Sequence, residues 1–285
     1  MLGTRLKISG YERRHRSALL DLAWHSQWTH KHLDWYETDQ WLDGEMGAVL
    51  LAWHGEQLVG YLGLSLPIDG WSWIRLLGIR GGRMPGLIVR ELCEAAEARC
   101  PALGISDIAI LMITNWLPTY LRERGFSCED DIITMSHIGN RIGAAPKISA
   151  SIRAADLRDV DGIMEIDRLA FGAPWQLAEY DIWQAIRSAA SATVATRDDE
   201  LVAYQLSTRQ EGVGHLARLA VHPAHQRMGI ASALMHQLML AFRNWNLAEL
   251  SVNTQLRNLP SQRLYERYGF FRNGNDMELW RKRVE

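Results

Sequence analysis

The 285-residue chain predicts an α/β fold built twice in tandem, each copy a layer of strands flanked by helices. Three observations carry this. Strand-like and helix-like runs alternate along the second half. Landmarks recur at one offset: residues 52–61 parallel 195–204 at a shift of 143, 77–79 parallel 219–221 at 142, and 121–126 parallel 265–270 at 144. Between the copies, residues 139–147 are rich in Gly, Pro and small side chains without periodicity, as a linker is. Domains are therefore expected at 1–145 and 150–285, each large enough to bury its own core.

Each element has a local reason. Residues 52–61 read as a hairpin, with the polar turn His54-Gly55-Glu56 between apolar runs. Eight of the 12 tryptophans precede residue 117, and Trp24, Trp28, Trp35 and Trp41 are expected in a tryptophan-rich core, the alternative being a substrate surface at the domain junction. The interleaved His25, His30 and His32 fit no helical ligand pair, so no metal is expected. In the second half a strand at 150–153 is followed by a helix from 156 to about 171, with Asp156 as N-cap, and a helix at 178–189. A hairpin at 192–207, a strand at 214–221, a helix at 230–244, a strand at 248–253, a helix at 260–268 and a last strand at 275–282 complete the copy.

Composition excludes several classes. Basic residues number 31 and acidic residues 33, a net charge of -2, so no nucleic-acid partner is expected. No run approaches the roughly 20 apolar residues of a membrane helix, and residues 1–10 lack the apolar core of a secretory signal. A soluble, cytoplasmic protein with no membrane partner is the expectation. Cys93, Cys100 and Cys128 are odd in number, lack zinc spacing and read as reduced thiols.

The most informative stretch is His222-Pro223-Ala224-His225-Gln226-Arg227-Met228-Gly229-Ile230-Ala231, between a strand and a helix. The opening amides of a helix have no internal partner and the aligned dipoles add positive charge there, so this geometry suits a diphosphate. Gly229 and Ala231 let the anion approach the backbone. Downstream, Asn258, Ser261, Leu264-Tyr265 and Gly269-Phe270 follow another strand and form a second ordered pattern. Taken together, these residues resemble the GNAT superfamily of acetyl-CoA-dependent N-acetyltransferases over about residues 150–285.

The resemblance implies a mixed, mostly antiparallel sheet in each copy and acetyl-CoA as cosubstrate. Backbone groups of Leu219 and Val221 would hold the pantetheine arm, and Gln226, Arg227, Met228, Gly229, Ile230 and Ala231 the diphosphate. Asn258 and Ser261 would lie toward the arm, Asn258 serving also or instead as a helix cap. Tyr265 would be the general acid, its other reading being a core tyrosine. His215, similar in place to a histidine of arylalkylamine acetyltransferases, would be the base, with Glu165 and Asp167 as rivals. The expected reaction is direct attack of a primary amine, on a small molecule or peptide, upon the acetyl thioester in a ternary complex. Alternatives are a protein N-terminal amine as acceptor, or a non-catalytic acyl-CoA-binding protein. Residues 170–175 resemble the Ala-Phe…Pro-Trp loop of ribosomal-protein N-terminal acetyltransferases, from which Ser251 departs where an acid is usual.

At the observed offset Leu87 stands opposite Gly229 and Leu121 opposite Tyr265, so the first copy is expected to be degenerate and non-catalytic. A different acyl-CoA loop built on Gly81, Gly82 and Gly86 is the alternative. A tandem with an eroded first copy is similar in architecture to mycothiol synthase.

Overall fold

The computed structural model describes residues 6–44, 46–82, 84–139, 142, 145–210 and 212–284. Its elements run β1 (Lys7–Gly10), α1 (Arg16–His25), β2 (Trp28–Lys31), α2 (Thr38–Asp43), β3 (Gly47–His54), β4 (Gln57–Ser65), β5 (Trp71–Ile79), α3 (Pro85–Glu97), α4 (Cys100–Leu103), β6 (Asp107–Leu111), α5 (Leu117–Glu123) and β7 (Ser127–Ile138). They continue β8 (Ser151–Ala154), α6 (Val160–Ala170), α7 (Glu179–Ser188), β9 (Ser191–Arg197), β10 (Glu200–Gln210), β11 (Val213–Val221), α8 (Ile230–Asn244), β12 (Glu249–Gln255), α9 (Leu259–Arg267), β13 (Phe271–Arg272) and β14 (Met277–Arg283). Two compact units result: Met1–Asp130 with Met277–Glu285, and Asp131–Asp276.

Unit 1 orders its strands β1-β3-β4-β5-β6-β14, with β2 also against β5. Among its described residues, β5 and β6 alone pair in parallel. One face buries Leu50, Leu62 and Leu77 with Val89 and Leu92 of α3 and Leu121 of α5. The other buries Leu51 and Leu76 with Leu19 and Leu22 of α1 and Trp41 of α2. Unit 2 orders its strands β7-β12-β11-β10-β9-β8, with β13 on β7, and among its described residues β11 and β12 alone pair in parallel. Its faces carry α8 and α9, through Met235, Leu238, Phe242 and Leu264, and α6 and α7, through the buried Ile163, Ile166 and Ile182.

Local chemistry accounts for the starts of these helices. Asp156 accepts the Arg158 N–H at 2.8 Å while Asp159 returns a carboxylate to the Asp156 N–H at 2.9 Å. This reciprocal cap opens one 3₁₀ turn, and α6 proper begins at Val160.

The duplication holds at the level of single hydrogen bonds. Phe126 N–H bonds Leu121 C=O at 3.1 Å, and Phe270 N–H bonds Tyr265 C=O at 3.1 Å. Both turns pass through a left-handed glycine, Gly125 (φ 82) and Gly269 (φ 80). Bulges recur too. Arg75 is the extra residue where Gly63↔Leu76 gives way to Leu64↔Ile74, and Ala217 where Leu206↔Arg218 gives way to Ser207↔Leu216.

The compact units differ from a simple cut in the linker. The strand expected at 275–282 is β14, which pairs antiparallel with β6 and buries Trp280 in the core of unit 1. Residues 131–138 of β7 belong to unit 2, where β7 pairs with β12. Alternating apolar residues mark a strand without saying which sheet it joins. Residues 140, 141, 143 and 144 of the expected linker lie outside the described residues. Trp35 and Trp41 are core residues, whereas Trp24 is 85% and Trp28 36% exposed, contrary to the tryptophan-core expectation. Cys93 and Cys100 are buried and Cys128 is exposed. No described helix is long and apolar enough to cross a membrane.

Unit 1 holds nine of the 12 tryptophans, so fluorescence reports mainly on it. Trp280→Ala removes a core side chain and should cost about 3–5 kcal/mol. Chemical denaturation followed by tryptophan emission should show the midpoint falling; an unchanged midpoint would exclude a core role for β14.

Candidate active site

The site begins with a strand pair that stops pairing. β11 and β12 are in register from Val213↔Glu249 to Leu216↔Val252. Beyond that point β11 continues to Val221 against β10, and β12 to Gln255 against β7. The bulged Ala217 sits where the two part. His222 donates its N–H to Val202 C=O at 2.8 Å, so by the alternation of antiparallel ladders Ala220 also faces β10. Leu219 and Val221 therefore turn their backbone groups into the gap, where an extended ligand can bond them as a strand would.

The gap leads to the loop before α8. Arg227 (φ 63) and Gly229 (φ 81) are both left-handed, and Gly229 is the N-cap of α8. A Cβ on Gly229 would lie 3.3 Å from Ile148 Cγ2. Gln226 ties the loop to the strand, its Nε2 donating to Val221 C=O at 3.3 Å. The Ala233 N–H reaches Gly229 C=O at 3.0 Å, and the amides of Ile230, Ala231 and Ser232 precede it. Residues 222–233 contain no acid, so nothing in the loop competes with an anion for those donors. Gln226, Arg227 and Met228 are exposed beside them.

Across the gap stands α9. Asn258 accepts the Ser261 N–H at 3.3 Å, which is the capping role. The Ser261 hydroxyl hydrogen-bonds Tyr265, whose phenol is pushed up to about 12 by burial. Tyr265 shares one cluster with Val252, Phe270, Leu219 and Ala231, at the point where β11 and β12 separate. It is protonated at any physiological pH, a donor held beside the gap.

His215 lies on the other face of the sheet. A Cβ on Gly214 would meet Phe242 of α8 at 2.3 Å, so Gly214 faces α8 and its neighbour His215 faces away. His215 Nδ1 is 2.9 Å from Ser251 Oγ, its register partner. Glu165 is on the exposed side of α6.

The rival acid, Asp167, is buried and committed. It accepts Arg218 Nε and Nη2 at 2.9 and 2.8 Å, the Leu177 N–H at 2.8 Å, and the Tyr204 hydroxyl. Arg218 also donates to Trp175 C=O and lies 3.8 Å above the Phe171 ring. Burial and the neighbouring Asp167 carboxylate hold the Tyr204 phenol well above its usual range. Arg218 escapes the motif reading. Its signal is a single charge in the apolar strand 216–221, matched by an acid on the buried side of α6.

In the first copy the loop is shorter. α3 opens at Pro85 with Met84 as N-cap, so Leu87, aligned with Gly229 by a constant offset, lies inside the helix instead. Leu121 does keep the place of Tyr265, on the turn shared by both copies.

Removing one partner of a buried ion pair strands the other. Asp167→Ala should cost about 3–5 kcal/mol, and Asp167→Leu with Arg218→Met should recover much of it. Thermal melts of the two variants test this, and equal losses would reject the pairing.

Residues 160–270 match the profile of the Acetyltransferase (GNAT) family. An N-alpha-acetyltransferase of Sulfurisphaera tokodaii is 31% identical over 133 residues, 42% of this chain and 78% of that protein. A putative bS18-alanine N-acetyltransferase of Bacillus subtilis is 22% identical over 123 residues, 43% of this chain and 82% of that protein. Among solved structures, a tandem GNAT protein from the clavulanic acid biosynthesis pathway has a TM-score of 0.69 at 14% identity, covering 99% of both chains. A GCN5-related N-acetyltransferase from Anabaena variabilis has a TM-score of 0.72 at 12% identity, covering 99% of this chain and 73% of that one. These likenesses speak for a tandem fold, and a relative above 30% identity along most of its own length speaks for the family: this chain is a GNAT acetyltransferase.

Proposed function

We propose that unit 2 transfers the acetyl group of acetyl-CoA to the primary amine of a small molecule or peptide by direct attack in a ternary complex. The observation that carries this is the edge of β11 beyond Leu216, which among the described residues no strand covers, running into a helix capped by Gly229. Such an edge takes the amide-bearing pantetheine arm, and the helix start takes the diphosphate. Gln226 to Ala231 provide the donors there. Asn258 shapes the turn into α9, and Ser261 orients the phenol of Tyr265.

In this reading the amine nitrogen attacks the thioester carbon, and the Val221 N–H stabilises the oxyanion. His215 accepts the amine proton from the opposite face of the sheet, directly or through water. The C–S bond then breaks, and the departing sulfur takes the proton of Tyr265. Glu165 is the weaker candidate for base because its side chain faces solvent on α6.

A peptide α-amine is the favoured acceptor. Relatives named N-alpha-acetyltransferase and bS18-alanine N-acetyltransferase support it, as does the loop 170–175 with its Phe171, Pro174 and Trp175. Ser251, bonded to His215, stands where those enzymes carry an acid, so proton removal falls to the histidine. An acyl-CoA-binding protein without turnover would have no use for a protonated phenol at the sulfur.

Thiol release from acetyl-CoA with a panel of amines and peptides tests the reaction; release indifferent to every acceptor would reject it. Tyr265→Phe should lower turnover by about 10²-fold or more with little change in acetyl-CoA affinity. Retained turnover would take the acid role from Tyr265. Gly229→Leu forces a side chain into a left-handed position, at about 1–2 kcal/mol of strain, and should abolish acetyl-CoA binding in a calorimetric titration.

A further inference from the structure

We infer that unit 1 contains the same cleft already filled by the chain itself: β2 takes the place of a pantetheine arm, so the protein holds a single acyl-CoA, in unit 2. The count of one rests on the coenzyme reading above; the filling of the cleft does not.

The parallel pair β5 and β6 is in register only at Trp71, Ser72 and Trp73, opposite Asp107, Ile108 and Ala109. The bulge at Arg75 then sends β5 onward without β6, as Ala217 does for β11. Arg80 donates its N–H to Val59 C=O at 2.8 Å, the counterpart of His222 to Val202. Leu77 and Ile79 therefore face away from β4, as Leu219 and Val221 face away from β10.

In unit 1 those groups are taken. β2 pairs antiparallel with β5, Trp28↔Ile79 and His30↔Leu77, and His32 N–H reaches Arg75 C=O at 2.9 Å. The Ser26 hydroxyl bridges the end, donating to Ile79 C=O at 2.5 Å and accepting the Trp28 N–H at 3.0 Å. On the far side Trp116, at the start of α5, donates Nε1 to Thr29 C=O at 3.4 Å and stacks edge-on with Trp28 at 5.6 Å. His30 is fully buried beneath, its Nε2 3.2 Å from Ile74 C=O. The helix that would receive a diphosphate opens with Pro85, which has no N–H to offer.

The same stretch behaves differently in unit 2. Residues 171–175 lie between α6 and α7, as β2 lies between α1 and α2. Among the described residues they form no ladder with β11. Gly172 and Pro174 make a poor strand, and Arg218 and Asp167 hold the loop by Trp175 C=O and the Leu177 N–H.

Two measurements on the full chain test the inference. Equilibrium dialysis with labelled acetyl-CoA should give one molecule per chain, and none for Gly229→Leu. Two per chain, or one surviving in Gly229→Leu, would overturn it. Hydrogen exchange of the coenzyme-free protein should find the amides of His30, His32, Leu77 and Ile79 as protected as those between β3 and β4, and unmoved by acetyl-CoA. Loop-like exchange there, or protection gained with acetyl-CoA, would overturn the filled cleft. Zero stoichiometry with β2 protected would overturn the coenzyme reading of unit 2 and support the filled cleft.

Discussion

A single extra residue in a strand governs the site. Ala217 in β11, like Arg75 in β5, shifts the register by one and ends the parallel ladder while the strand itself continues. Backbone N–H and C=O groups left without a neighbour demand another partner, because an unpaired buried amide costs about 1–3 kcal/mol. In unit 1 that partner is β2. In unit 2, among the described residues, no strand covers that edge toward the loop that ends at Gly229.

The two faces of the unit 2 sheet divide the chemistry. On the α8 and α9 side the wall is apolar, and Tyr265 is embedded in it with its hydroxyl turned to Ser261. On the other side the strands carry His215 and Ser251, and the loop 171–177 is pinned by Asp167 and Arg218. Burying a carboxylate and a guanidinium is costly unless their hydrogen-bonding capacity is met. Here Tyr204, Leu177 and Trp175 complete it, which ties the loop to α6 and β11.

Strand exchange joins distant parts of the chain. β14 completes the unit 1 sheet beside β6 and supplies Trp280 to its core, so unit 1 is finished by a strand that follows all of unit 2 in the sequence. Unit 2, by contrast, draws on β7, which precedes the linker. A domain cut between the repeats would deprive each sheet of a strand it uses.

The sequence by itself determined the α/β class, the duplication, the GNAT resemblance and α8 to the residue, because periodicity, caps and a Gly-bearing loop are local signals. It also marked Tyr265 and Gly229, whose spacing lies within one strand, loop and helix. Tertiary structure decided the rest. Which strands β7 and β14 each join, how Asp167 and Arg218 meet across 51 positions and how β2 comes to pair with β5 all depend on contacts distant in sequence. Alternation along a strand records which residues share a face but not which edge will receive them, and that choice is made only when the sheet closes.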